Sequence, residues 1–419
     1  MPRSRPQMRA PFRAIPYWVA CPQIPHGNSR QCFQSRPYNN MSSKKRKREA
    51  SKASNEHDTS KPTAIFKPTG ARSYTVSVAV PGSVITNAQS PELKTQLAGR
   101  IARALAVFCV DEVIVFDDGQ VKKLNGHSLS NGRNGDTFTG NTDPNHFLLH
   151  ILSYLETPPY LRTDLFPMHP DFQYAGVLPS LDLPHHLRRD EWCQYREGIT
   201  VEAPPSQNGE NAVTVEHGKK GKKQKRAAGA SETKTFVSVG LANLVSVPSS
   251  IPAQTRVTLR FPKDIASADK HRIVGAEAVA PSEPREKAGY YWGYNVRPAS
   301  SLSTVLTESP YEGGYDVTFG TSERGTPLST LQDSSSALEP VPEFSHMLIV
   351  FGGVAGIEPA VQADQELQKM GVTEPSMLFD YWVNLCPGQG SRTIRTEEAV
   401  WLGLMGLRNI ILSKGRKNG

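Results

Sequence analysis

Asn384-Leu-Cys-Pro-Gly-Gln-Gly-Ser-Arg-Thr-Ile-Arg-Thr-Glu-Glu398 joins an apolar run, Phe379 to Leu385, to a run with helical spacing, Glu397 to Ile411, through a turn holding Pro387, Gly388 and Gly390. Strand, glycine turn, helix start is the place where α/β proteins put ligands, because backbone N–H groups are free there and glycines let a ligand approach. The turn lacks the residues of a phosphate loop. The chain has no GxxxxGK[ST] and no GxGxxG following a strand. It therefore reads as a loop for something other than a nucleoside triphosphate.

Upstream, His346-Met-Leu-Ile-Val-Phe351 is an apolar strand closed by Gly352-Gly353, and Tyr315-Asp-Val-Thr-Phe319 is a strand running into the glycine-bounded turn Gly320-Thr-Ser-Glu-Arg-Gly325. Tyr290-Tyr-Trp-Gly-Tyr-Asn-Val296 reads as a further strand. The same grammar opens the ordered chain: alternation over Tyr74 to Val80, then an N-cap, a first-turn proline and an acid in Ser90-Pro91-Glu92. A stripe of Leu93, Leu97, Ile101, Leu105 and Phe108 follows, and then the wholly apolar Val113 to Phe116, ended by Asp117-Asp-Gly119. Leu124 to Asn145 reads as a polar loop, and His146 to Leu155 as a helix. Strand, helix, strand predicts an α/β domain with a parallel sheet. Loops at the carboxyl ends of such strands converge on one crevice, so Gly320–Gly325, Phe351–Gly353 and Asn384–Gly390 together predict a site.

Between these halves the pattern changes. Ala175-Gly-Val-Leu178, Gly198-Ile-Thr-Val201, Thr235 to Val239 and Arg256 to Phe261 are short apolar stretches separated by turn residues, which predicts a small OB-like β-barrel. The expected organisation is a basic N-terminal arm at 1–70, the two halves of one α/β domain at 71–165 and 290–413, and an inserted barrel at 166–289. The barrel carries a basic loop at 202–232 that includes Lys219 to Arg226. That loop reads equally as a phosphate-tracking element or a solvated insertion. In the arm, Lys44 to Arg48 forms a basic cluster of the nuclear-localisation type, or else a solvated tail. The first forty residues resemble a transit peptide in charge but are too rich in proline for its helix, and Met41 is an alternative start.

Composition bounds the function. The net charge is +8 over 419 residues, and the balance favours a polyanionic partner, nucleic acid being the usual one. Apolar residues make up 37%, a low figure that fits long arms beside a folded core. The five cysteines form no CxxC pair, so neither a disulfide framework nor a zinc site is expected. His185-His186 with Cys193 make no recognised ligand set and read as part of a flexible polar segment. Asp117-Asp118 reads as a plain turn before a ribose contact, and neither Ser83 nor Cys386 has an assignable His/Asp partner for nucleophilic chemistry.

Six motifs carry a resemblance: Ser77-Val-Ala-Val-Pro-Gly-Ser83, Ala88-Gln-Ser-Pro-Glu92, Cys109-Val-Asp-Glu112, Gly320-Thr-Ser-Glu-Arg-Gly325, Phe351-Gly-Gly353 and Pro387-Gly-Gln-Gly-Ser-Arg-Thr-Ile-Arg-Thr-Glu-Glu398. In these the chain resembles the SPOUT-superfamily RNA methyltransferases, in the eukaryotic and archaeal subgroup with an inserted OB-like domain. The match spans about 74–410. The resemblance implies a trefoil knot in the C-terminal half, S-adenosylmethionine held by the knot loops, and a homodimer. It further implies an RNA substrate, with ribosomal RNA and uridine N3 of the large subunit as the expected target, and a nuclear or nucleolar location. Carried over residue by residue, the cofactor contacts are Arg324, Gly353, Asn384 and Leu385, with Gly352, Gln389 and Gly390 beside them. Arg324 would pair with the cofactor carboxylate, or else form a surface ion pair. Arg392 and Arg395 would grip RNA phosphate, neutralise charge on the uridine, or pack against the partner subunit. No general base or metal is identified. The alternative reading is a non-catalytic RNA- or chromatin-associated protein that keeps the knotted fold as a scaffold.

Overall fold

Two buried apolar runs, Val113–Phe116 and Met347–Val350, flank the strand Thr75–Pro81 at the centre of the molecule. The computed structural model describes residues 70–120, 138–202, 235–262, 275–331 and 340–416. The Lys44–Arg48 cluster, the Lys219–Arg226 run and most of the Leu124–Asn145 stretch lie outside them. The elements used below are β1 (Thr75–Pro81), α1 (Pro91–Val107), β2 (Glu112–Phe116), α2 (Pro144–Glu156), β3 (Tyr195–Val201), β4 (Thr235–Ser238), β5 (Val245–Val247), β6 (Arg256–Arg260), β7 (Glu277–Val279), β8 (Asn295–Ala299), α3 (Leu302–Thr307), β9 (Val317–Pro327), β10 (His346–Val350), α4 (Glu358–Ala363), β11 (Tyr381–Asn384) and α5 (Thr396–Lys414).

A six-stranded sheet runs in the order β11-β9-β10-β1-β2-β8, with every neighbouring pair parallel. Parallel sheets are covered on both faces, and this one is. On one face Val76, Val78 and Val80 pack with Ile101 and Leu105 of α1, Phe147 and Ile151 of α2, and Leu404 and Leu407 of α5. On the other, Ala79, Leu348 and Val350 pack with Leu302 of α3 and Val361 of α4. The polar alternates of β1 are buried too. Ser77 Oγ donates to Glu112 Oε2 at 2.7 Å, and Glu112 is in turn held by Arg297 at 2.9 Å and by the Tyr315 hydroxyl at 2.8 Å. The alternation in β1 thus reflects partners on two covered faces rather than one wet face.

The inserted segment supplies a second, five-stranded antiparallel sheet, β5-β4-β3-β6-β7. It curls around Val237, Val245, Leu259 and Phe261 until Ser246 meets Gly275 in a single bridge. The observed form is a curled half-barrel. Buried charges tie it to the α/β layers. Arg256 of β6 bonds Glu156 at the end of α2 at 2.6 Å and Glu197 of β3 at 2.8 Å, and Glu197 also accepts from the Trp292 indole at 2.6 Å. His185, expected in a flexible polar segment, is wholly buried, and its Nε2 lies 3.0 Å from the Glu156 carboxylate. The His186 ring lies 2.7 Å from the Glu156 carbonyl oxygen, and burial lowers its pKa to about 3.

Three local expectations are corrected. Ala175–Val177 is a single 3-10 turn rather than a strand, and the chain beyond it sends Leu181 and Leu183 into the α/β core. The strand expected at Tyr290–Val296 begins only at Asn295, because Tyr291, Trp292 and Tyr294 are anchored as buried aromatics; the Tyr291 hydroxyl donates to the Val110 carbonyl at 2.7 Å. Gly320–Gly325 is an interruption within β9 rather than a turn that ends it.

Candidate functional site

Parallel strands aim all their carboxyl ends at one edge of the sheet, and three neighbours at one side carry the segments singled out above: β10 and β11 end in them, and β9 holds its own within the strand. On β9, Phe319 and Gly320 pair with Tyr381 and Trp382, but the next pairs are Thr326 with Val383 and Pro327 with Asn384. Residues 321–325 are left without partners on β11 and swing outward, a large bulge of the kind that re-aims side chains. Gly325 must be glycine, since a Cβ there would lie 2.4 Å from the Val383 backbone carbon. On β10, Gly352 and Gly353 turn back through Gly356, with Gly353 N–H donating to Gly356 C=O at 3.2 Å and Gly356 N–H to Gly353 C=O at 3.1 Å.

These segments and the Asn384 loop enclose a cavity of about 350 Å³. Its wall from β9 is Thr321 to Arg324, its floor Gly352 to Gly356, and its far side Asn384, Leu385, Gln389 and Arg392. The volume lies at the lower end of the roughly 300–1,000 Å³ usual for small-molecule sites. Hydrogen bonds fix the walls. Asn384 Nδ2 donates to the Glu323 carbonyl at 2.7 Å while its Oδ1 accepts from Cys386 N–H at 3.0 Å, so one side chain couples two loops. Thr396 Oγ1 donates to the Gly352 carbonyl at 2.9 Å and pins the start of α5 to the floor. Glu398 closes that helix end by accepting from Arg395 N–H at 3.0 Å. Arg324 is exposed and lies 3.6 Å from Glu358 at the first turn of α4.

Of the residues expected from sequence, Arg324, Gly352, Gly353, Asn384, Leu385, Gln389 and Arg392 line this one cavity. Gly390 and Arg395 do not line it; both are exposed on the same loop. Neither the Arg392 nor the Arg395 guanidinium has an ion-pair partner among the described residues. A larger cavity, about 530 Å³, lies at the opposite strand ends, lined by Thr75, Glu112 and Asn295 with Glu197 and Arg256. Its charges already bond one another, as described above, so it serves the junction of the two sheets.

Two groups were missed or misjudged. Ser83 does have an acidic partner: its hydroxyl donates to Asp118 Oδ2 at 2.5 Å. Asp117 forms the expected turn, accepting from Gly119 N–H at 2.8 Å, but Asp118 points inward and is 2% exposed. His146, His150 and Asp171 also approach one another, with His169 alongside. Ordinary hydrogen bonds account for that cluster: His150 Nδ1 lies 3.0 Å from Asp171 Oδ2, and Thr139 gives Asp171 both its N–H, at 2.8 Å, and its hydroxyl, at 2.7 Å. They tie α2 to the segment that follows it.

Comparison with known proteins decides the family. The family described as "Putative RNA methyltransferase" matches residues 75–407. The chain belongs to that SPOUT-type RNA methyltransferase family. It is 42% identical over 360 residues to the human "28S rRNA (uridine-N(3))-methyltransferase", covering 85% of this chain and 83% of that protein. The mouse protein of the same name is 43% identical over 339 residues, 80% of this chain and 77% of its own length. The Drosophila melanogaster protein of that name is 42% identical over 336 residues, 80% of this chain and 62% of its own length. The matched span covers both halves of the parallel sheet and the half-barrel between them, so membership rests on the whole architecture and not on the site loops alone.

Proposed function

We propose that this methyltransferase uses S-adenosylmethionine, bound in the cavity at the ends of β9, β10 and β11, to methylate N3 of a uridine in large-subunit ribosomal RNA. The observation that carries the reading is the convergence of Arg324, Gly352–Gly353 and Asn384–Leu385 on one cavity in a chain of this family. The residues fit the cofactor. Three glycines of the floor, Gly352, Gly353 and Gly356, leave backbone able to meet an adenine edge, and Arg324 is an exposed cation whose ion pair with Glu358 is long. A carboxylate arriving there gains a charge-assisted bond. When bound, the cofactor supplies an electrophilic methyl on a sulfonium sulfur, so the protein's task is to place a nucleophilic base nitrogen in line with it. Arg392, on the cavity wall, and Arg395, beside it, are assigned to the RNA phosphates.

The knot and the dimer belong to the same proposal. The last helix is held at both ends by earlier chain: Thr396 bonds Gly352, Gly406 packs on Leu328, and Phe344 pairs with Gly415. That clamp supports a threaded α5. Trp401, Leu402 and Met405 are large apolar residues exposed on the same helix, which supports its burial against a second copy. The basic Lys44–Arg48 cluster supports a nuclear location.

Calorimetry on the purified chain tests the cofactor assignment. One S-adenosylmethionine should bind per chain, and Gly353→Trp should abolish binding while the melting transition persists. Folded wild-type protein that binds none would overturn it and leave the scaffold reading standing.

A further inference from the structure

The register of β1 on β2, which sets Pro81 opposite Phe116, carries Ser83 and Asp118 to matching positions just beyond the two strand ends. They lie at the same edge of the sheet as the cavity, on the β1 side of Gly353. A Cβ built on Gly353 would sit 3.2 Å from both Asp118 Oδ2 and Ser83 Oγ. The two neighbouring glycines therefore have different reasons to be glycine. At Gly352 a Cβ would lie 2.4 Å from the Gly356 carbonyl carbon, so the backbone itself forbids a side chain. At Gly353 the backbone is not in the left-handed region, and a methyl would meet these two oxygens first, with Pro81 Cγ at an ordinary contact distance of 3.6 Å. Gly353 lines the cavity, Ser83 and Asp118 lie beside it outside that lining, and a side chain at 353 would be directed against the pair.

We propose that Ser83 and Asp118 form the proton relay that deprotonates the target base. This rests on the reading of uridine N3 as the methylated atom. Uridine N3 carries a hydrogen, and its electron pair is free to attack only once that hydrogen leaves. The Ser83 hydroxyl proton points to Asp118, which leaves a lone pair on Ser83 Oγ to accept N3–H. The N3 proton passes to Ser83 Oγ as the Ser83 proton passes to Asp118. The freed N3 pair forms the N–C bond to the methyl group, and the methyl–sulfur bonding pair stays on sulfur, which becomes a neutral thioether. Asp118 later releases its proton to water. Charge and atoms balance with no further reactant.

The surroundings of the carboxylate suit this task. Asp118 accepts from Ser83 and, through Oδ1, from Gln120 N–H at 3.1 Å, and no Lys or Arg pairs with it among the described residues. An unpaired buried carboxylate is costly to keep, and such groups concentrate at functional sites. Burial raises the Asp118 carboxyl above its usual range against the opposing Ser83 bond. Asp117, on the same loop, is also acidic and adds to the upward push on the Asp118 carboxyl. A stronger base results, nearer to the working pH.

The test uses full-length protein, large-subunit RNA lacking the modification, and 3-methyluridine measured by mass spectrometry in single turnovers. Asp118→Asn should slow methyl transfer by about a hundred-fold or more, the usual scale for loss of a positioned base. Its binding of S-adenosylmethionine and RNA should be unchanged. Its rate should climb with hydroxide concentration across the neutral range, where the wild type is flat above an acidic limb. Ser83→Ala, which removes one nearly buried hydroxyl, should show the same loss, and Asp118→Glu should recover part of the rate. Wild-type rates and pH profile in folded Asp118→Asn and Ser83→Ala would overturn the relay. A wild type that makes no 3-methyluridine would instead overturn the functional reading on which it stands.

Discussion

Gly352 and Gly353 are adjacent in the chain, yet substitutions there should fail differently. Gly352→Ala drives a methyl to 2.4 Å from backbone and should lower the melting temperature. A forced shift of that kind costs about 1–3 kcal/mol. Gly353→Ala meets two side-chain oxygens at 3.2 Å and should leave the melting temperature within a few degrees of wild type while cutting methyl transfer sharply. Thermal melts beside activity assays separate the two; equal destabilisation would contradict the assignment of Gly353 to the reacting face. Arg392 and Arg395 make a second pair. If both grip phosphate, each Arg→Ala change should weaken RNA binding evenly across sequences and reduce the salt slope by about one. Binding of S-adenosylmethionine to Arg395→Ala should be unaltered, since that side chain does not line the cavity. A salt slope unmoved by either change would remove these arginines from the RNA interface.

Among the elements, β6 and α2 bear the junction between the half-barrel and the parallel sheet, through Arg256, Glu156 and Glu197. Arg256 and the neighbouring His185 hold the Glu156 carboxyl far below its ordinary range, against the burial that alone would raise it. A depressed carboxyl pKa stabilises the fold wherever the unfolded chain would already be ionised, above about pH 4.3. That contribution should fade as pH falls from there toward the depressed folded value. Glu156→Gln should therefore flatten the acid limb of a stability-versus-pH curve. Removing one partner of a buried pair costs about 3–5 kcal/mol, so Arg256→Ala should unfold the junction at markedly lower denaturant. Urea titrations from pH 3 to 7 check both. The same pairing explains why His185, His186 and Glu156 were unreadable as a unit: they lie about thirty residues apart, and only the packing of α2 on the returning chain joins them.

For the whole molecule, what could be read from the sequence were the features written in local spacing. The apolar runs of β2 and β10, the Ser90-Pro91-Glu92 helix start and the glycine loops after β10 and β11 are each visible within a dozen residues, and they sufficed to place the parallel sheet and most of the cavity wall. Features set by pairing between distant strands were hidden. The excursion at 321–325 exists only because β11 re-registers between Trp382 and Val383. Ser83 found its acid only through the β1–β2 register, 35 residues away. Ala175–Val177 misled because a short apolar stretch has no period long enough to separate a 3-10 turn from a strand.

A purified chain given isotopically labelled S-adenosylmethionine and large-subunit ribosomal RNA from cells lacking the protein, followed by digestion and nucleoside mass spectrometry, joins cavity to chemistry in one experiment. Labelled 3-methyluridine, formed by the wild type and lost in Gly353→Trp, is the predicted result. Label in a different nucleoside, or no label in RNA that the folded protein demonstrably binds, would contradict it.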